Sequence, residues 1–164
     1  MPLLIAILAA VFLVGATVAI HYEVLRWTSM LIPHISLRPR ARIVVVIFAV
    51  FLGHVIEVML YAFAYFLMHE SYELGHIGGD FEATAVDFFY FSITTFTTLG
   101  IGDVQPYGYL RIVAGMQSLN GLGLIGWSAS FTYLVMEKSW DDHRRGTRKS
   151  AKSEVASRKV EVDE

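Results

Sequence analysis

The sequence predicts an all-α membrane protein. Three observations carry this. Charged residues make up only 17% of the 164-residue chain, and its mean hydropathy is +0.52, whereas soluble domains carry about 25% charged residues. Three long apolar stretches are each near or above the roughly 18–20 residues that cross a bilayer. Between the second and third lies a shorter apolar run, Phe88 to Thr97, too short to span and followed by alternating glycines. The predicted architecture is therefore three transmembrane helices plus a short re-entrant helix and an extended segment. The length suits one small membrane domain. It is too short to enclose a pore alone, so an assembly is implied. Cysteine is absent, which excludes disulfides and thiolate metal sites.

Residues 3–20 contain no charge and carry Ala6, Ala9, Ala10, Gly15, Ala16 and Ala19 as small surfaces for close helix packing. A cleaved signal peptide is the rival reading, but the segment lacks a basic start. Residues 21–42 read as a linker holding Arg26, Arg38, Arg40 and Arg42 against one acid, Glu23. Tyr22, Trp27 and Met30-Leu31-Ile32 place part of it at the membrane interface. Pro33 and Pro39 break any long helix. Domain one is thus 1–42.

The second part of the membrane domain is expected over 43–136. Its first helix, 43–68, is long enough to cross with tilt. Residues 69–87 are an acidic loop with Gly75, Gly78 and Gly79 and no Lys or Arg. A short helix over 83–97 follows, then the segment 98–103, then a last span over 109–136 with a single charge, Arg111, near its start. The tail, 137–164, holds eight Lys/Arg and seven Asp/Glu. Its mixed charge suits disorder or a solvated helix and makes it a docking candidate for a regulatory partner.

All thirteen basic residues fall in the linker, at Arg111 or in the tail. Basic loops stay cytoplasmic. Linker and tail are therefore expected inside, and the acidic loop and the N-terminus outside, in a multi-pass cell-membrane protein.

Thr98-Leu99-Gly100-Ile101-Gly102-Asp103 organises the chain. Glycine permits backbone angles that other residues resist. A helix that enters the membrane and returns as extended backbone leaves carbonyls unpaired, which is tolerated where they line a water- or ion-filled path. The hexamer resembles the selectivity filter of potassium channels, usually Thr-Val-Gly-Tyr-Gly-Asp, in which carbonyls replace the ion's hydration shell. The resemblance covers roughly residues 42–136, the two-helix pore module of that family, here with an additional N-terminal helix. It implies a homotetramer, because the chain has one filter motif and four are needed. It implies K+ held by the carbonyls of Thr98, Leu99, Gly100 and Ile101 and the Thr98 hydroxyl, with Gly102 completing the alternation. Leu99 and Ile101 would point away into the protein behind the filter. No other cofactor, no enzyme activity and no nucleic-acid partner is expected.

Two positions depart from the usual pattern. Ile101 stands where the common filter has Tyr, and the pore-helix aromatic that would bond it aligns with Phe91, which has no donor. The filter's support would then be apolar, and potassium selectivity weaker. Asp103 aligns opposite Thr94, with a hydrogen bond expected between them, and Thr95 is a further filter-support candidate. Gly121, with Gly123 as a second candidate, falls where inner helices of this family bend to open, although close packing explains a glycine there equally well. Asn120 is a cavity-facing candidate. His54 and Glu57 lie one turn apart on one helix face and form an intramembrane pair, read either as a pH-sensitive site or as a structural bond.

The leading expectation is a potassium-selective channel subunit. A weakly selective monovalent cation channel and a non-conducting accessory subunit are the alternatives. A membrane enzyme built on histidines is disfavoured, because the six histidines are scattered without a repeated cluster.

Overall fold

The computed structural model describes residues 1–32, 39–70 and 74–162. Four helices and a two-stranded antiparallel pair follow in the order α1 (Pro2–Leu31), α2 (Pro39–Glu70), β1 (Ile77–Gly79), α3 (Ala85–Phe96), β2 (Val104–Pro106) and α4 (Leu110–Val162). Pro33, His34, Arg38 and Glu73 lie outside the described residues.

α1 and α2 both begin with proline, which suits a first helical turn because its missing N–H has no partner there anyway. α1 does not stop at residue 20. It runs on to Leu31, so the stretch read as the start of a linker is helical. The reason is visible in its packing. Ala6, Ala10, Leu13, Thr17, His21, Leu25 and Thr28 are all buried, a stripe spaced by threes and fours that continues through residue 20 without a break. The small residues let α1 approach α2 and α4. Ala6, Ala10 and Leu13 share one core cluster with Tyr61, Tyr65, Ile77, Phe91 and Val113. α1 is therefore part of the same core as α2, α3 and α4 and not a separate unit.

The remaining faces of α1 and α2 carry exposed Leu8, Phe12, Phe48, Phe51, Phe63 and Leu67. Among the described residues, Pro2–Leu31 and Ala41–Glu70 are long and apolar enough to cross a membrane, each with an 18-residue stretch of mean hydropathy 2.9 and 2.7 respectively. α4 carries Gln117, Ser118, Asn120 and Ser128 within its apolar stretch. It continues as helix through the charged tail to Val162.

α3 starts with a capping box: Asp87 N–H donates to Thr84 Oγ1, and Thr84 N–H donates to Asp87 Oδ2. The acidic loop is not wholly irregular. Ile77, Gly78 and Gly79 pair with Pro106, Gln105 and Val104. Gly79 has φ +101°, and a side chain there would overlap the Asp103 carbonyl. This glycine lets the loop close onto the residue that ends the hexamer.

Candidate functional site

α3 ends at Phe96, with Thr97 as its C-cap, and the hexamer hangs from that end. Thr98 N–H donates to Thr95 O at 3.1 Å, and Leu99 N–H and Gly100 N–H donate to Thr94 O at 2.9 and 3.4 Å. Every second residue then takes a left-handed backbone: Thr98 at φ 57°, Gly100 at 48° and Gly102 at 94°. The glycines adopt this freely. Thr98 does so at a cost of about 1 kcal/mol. Sequence reasoning expected the alternation only at the glycines, because a β-branched residue disfavours positive φ and gives no signal for it.

Leu99 and Ile101 project outward, 63% and 62% exposed. Within this one chain neither side chain is covered. Phe91 is buried and sets its ring edge-on to Tyr65, with centroids 4.8 Å apart. Behind the hexamer lies a cavity of about 640 Å³ whose lining includes Phe91, Thr94, Ile101, Asp103, Arg111 and Ser118.

The Thr94–Asp103 bond is not formed. The Thr94 hydroxyl donates back into its own helix, to Tyr90 O at 2.8 Å and Phe91 O at 3.1 Å, and Thr94 serves the hexamer through its carbonyl. Asp103 instead accepts from the Tyr90 hydroxyl at 2.8 Å and from Val104 N–H at 3.0 Å. Its carbonyl accepts from Asp80 N–H at 3.0 Å. Tyr90 lies one turn before Thr94, so a one-turn shift of the alignment would have found it. Thr95 contributes its carbonyl, which also accepts from Ser118 Oγ at 2.9 Å. At the head of α3, the backbone N–H and hydroxyl of Thr84, with Glu82 N–H, hold the Asp87 carboxyl below the usual carboxylate range.

On α4, Asn120 does not face a cavity. Its Nδ2 donates to Thr17 Oγ1 at 2.7 Å and to the Tyr61 hydroxyl at 3.4 Å, tying α4 to α1 and α2. Gly121 abuts the end of α3, where a side chain would overlap the Phe96 carbonyl. α4 passes both Gly121 and Gly123 as unbroken helix. Gly121 is thus a packing glycine here, and Gly123 has open space around it.

A second polar bridge joins α2, α3 and α4. The Tyr65 hydroxyl donates to Gln117 Oε1 at 2.6 Å. Gln117 Nε2 donates to Ser92 Oγ at 2.8 Å, and Ser92 Oγ donates to Val58 O at 2.7 Å.

His54 and Glu57 do pair, but they are half of a larger cluster. Glu57 Oε2 meets His54 Nδ1 at 2.9 Å and Oε1 meets His21 Nδ1 at 2.9 Å. Ser128 Oγ lies 2.9 Å from His54 Nε2 and 3.2 Å from His21 Nε2, and donates to Leu124 O at 2.9 Å. The imidazoles stack with centroids 5.1 Å apart, and Trp127 and Phe96 close over them. His21, Glu57 and Ser128 are buried. Two of the six histidines therefore converge, which corrects the reading of all six as scattered. His21 and Ser128 were missed because they sit on other helices, 36 and 71 residues from Glu57. Among the described residues, His21, His54 and Glu57 form a group whose ligand atoms all lie within 4.8 Å of one another.

Residues 43–138 match the model of a family described as "Ion channel", the two-transmembrane pore-loop channels. The chain belongs to that ion channel family. The match takes in most of α2, all of α3 and the hexamer, and the apolar stretch of α4, so this channel is a membrane protein whose family-matched unit starts after α1. His54, Glu57 and Ser128 lie inside the matched residues and His21 outside them. No curated protein and no solved structure gives a match.

Proposed function

We propose that the channel passes K+ through a pore formed by four copies, with Thr98–Asp103 as the selectivity filter. The observation that supports this is the alternating left-handed backbone at Thr98, Gly100 and Gly102. A chain that alternates in this way can turn successive carbonyls to one side, where rings of oxygens replace the ion's water. Oxygen donors suit a hard cation. The end of α3 points its carbonyls toward the same region, and a helix C-terminus favours positive charge.

A homotetramer is the assembly that four filter segments require. The exposed Leu99 and Ile101 then find their packing against neighbouring copies, since large apolar side chains around a water-filled path need cover. The apolar part of α4 acts as a third span, lining the inner pore with the face that carries Gly115, Leu119 and Leu122. The N-terminus and the β1–β2 loop lie outside, and the basic segments inside.

The weakly selective reading has one observation in its favour. No hydrogen bond ties Ile101 to α3 among the described residues, and a cavity backs the filter. Reversal potentials of the reconstituted channel under opposed K+ and Na+ gradients decide between the two. A reversal close to the K+ equilibrium value is expected. A reversal near zero leaves a monovalent cation channel.

A further inference from the structure

We propose that His21, His54 and Glu57 bind one divalent transition-metal ion of the zinc class, in a buried three-residue site that clasps α1 to α2 and α4.

The argument begins with the hydrogens. Ser128 has one proton to donate, and its Oγ meets three groups. The Leu124 carbonyl, at 2.9 Å, can only accept, so it takes that proton. With the hydroxyl hydrogen on Leu124, both imidazole Nε2 atoms, at 2.9 and 3.2 Å, donate to Oγ. A neutral imidazole with its proton on Nε2 has a bare lone pair on Nδ1. Both Nδ1 atoms face an oxygen of the Glu57 carboxylate at 2.9 Å. Lone pair confronts lone pair twice, and each confrontation needs positive charge between its atoms.

Protons can meet this need in two ways. Two extra protons make both rings cationic, and these rings are stacked with centroids 5.1 Å apart. Like charges at that separation repel strongly in a site screened from water. One extra proton satisfies both carboxylate contacts only if Ser128 turns its hydrogen from Leu124 to a ring. A single divalent ion meets both confrontations with neutral rings and leaves the serine bond intact. It brings the same total charge as two protons but seats that charge on the carboxylate.

The donor set and its surroundings fit such an ion. Two imidazoles and a carboxylate are ligands for Zn2+, Co2+ and Ni2+. Bonds of about 2.0–2.1 Å at tetrahedral angles put ligand atoms about 3.3 Å apart. The Nδ1–oxygen pairs lie within a few tenths of an ångström of that spacing, and no two ligand atoms of the group are more than 4.8 Å apart. Two Nδ1 atoms and one carboxylate oxygen supply three donors, and a water would take the fourth position. Ligating histidines give their other N–H to an acceptor that fixes the ring, and Ser128 Oγ serves both. Trp127 and Phe96 cover the rings on either side. The site does not involve the filter, so its test is independent of ion selectivity.

The test uses the full chain, purified in detergent with a tag that contains no histidine, stripped with chelator and dialysed against Zn2+ or Co2+. The expected result is one ion per chain by mass spectrometry. Co2+ should show the intense visible bands of a four-coordinate site, and thermal stability should rise on loading. Ser128→Ala keeps all ligands and should weaken binding about 10-fold. His21→Ala should abolish the Co2+ bands, and His76→Ala should leave them unchanged. A folded wild-type chain that retains none of Zn2+, Co2+ or Ni2+ overturns the proposal. So does binding that survives in both His21→Ala and His54→Ala, since the ion would then sit elsewhere. The wild-type result decides even where a variant fails to fold.

Discussion

Leu99 and Ile101 stand more than 60% exposed on a segment held by three backbone bonds to the end of α3, whereas Glu57, His21 and Gln117 are fully buried and bonded on every side. The two regions are contiguous through Phe96, whose ring meets His54 and whose carbonyl abuts Gly121, yet they are built by opposite means. The seam between α1, α2 and α4 is complete within one chain. Its polar groups find partners there because an unpaired polar group in a low-dielectric interior costs several kcal/mol. The hexamer leaves Leu99 and Ile101 exposed, and among its carbonyls those of Gly102 and Asp103 find partners in the same chain. The difference teaches that one chain completes its own helical frame and leaves the hexamer's apolar side chains uncovered, as the proposed assembly requires.

Four perturbations test this division. Gly100→Ala forces a side chain onto a residue at φ 48°. It should abolish K+ flux from liposomes while leaving the chain folded. Persisting flux would show that ions take another path. Glu57→Ala should do the reverse. Removing one member of a buried polar cluster costs about 3–5 kcal/mol, so unfolding in detergent should come much earlier, while channels that survive conduct with unchanged selectivity. A selectivity change in Glu57→Ala would mean that the seam and the filter are not separable.

Tyr90→Phe removes the hydroxyl that donates to Asp103. A lost hydrogen bond is worth about 1 kcal/mol. The expected effect is a filter mouth that is less protected, read as a weaker dependence of assembly stability on added K+. The smallest effect concerns Asp87. Its carboxyl is held low in the folded chain, so its contribution is present above the ordinary carboxylate range and is lost as pH falls through the lowered folded value. Hydrogen exchange of the Glu82, Thr84 and Asp87 amides should therefore stay slow at neutral pH and rise only below about pH 4. Asp87→Asn should show faster exchange at neutral pH and little further change on acidification.

Much of the fold was legible because membrane helices announce themselves by length and apolarity. Residues 43–68 fall inside α2, and the start of the last span at 109 lies next to Leu110. The end of α1 was not legible. Residues 21–31 look like an interfacial linker by composition, and only the buried stripe through His21, Leu25 and Thr28 explains why the helix continues. The hexamer was recognisable from Gly100 and Gly102, whose value is conformational and therefore local. Its supports were not. Tyr90, rather than Thr94, reaches Asp103, because which hydroxyl on a helix reaches a loop depends on the helix's rotation. Asn120 seemed suited to a wet cavity and instead bonds Thr17, a residue 103 positions away.

By itself, the sequence determined that this chain carries long apolar membrane helices, roughly where they begin, and that a short helix delivers a glycine-alternating segment. These properties rest on periodicity, composition and backbone freedom, which act over a few residues. Only the tertiary structure decided that His21, His54, Glu57 and Ser128 meet, that Gly121 makes room for the Phe96 carbonyl, and that Leu99 and Ile101 face outward. Those outcomes depend on how three helices rotate and slide against one another. That choice is made by packing and by the need to pair every buried polar group, and no single stretch of the chain encodes it.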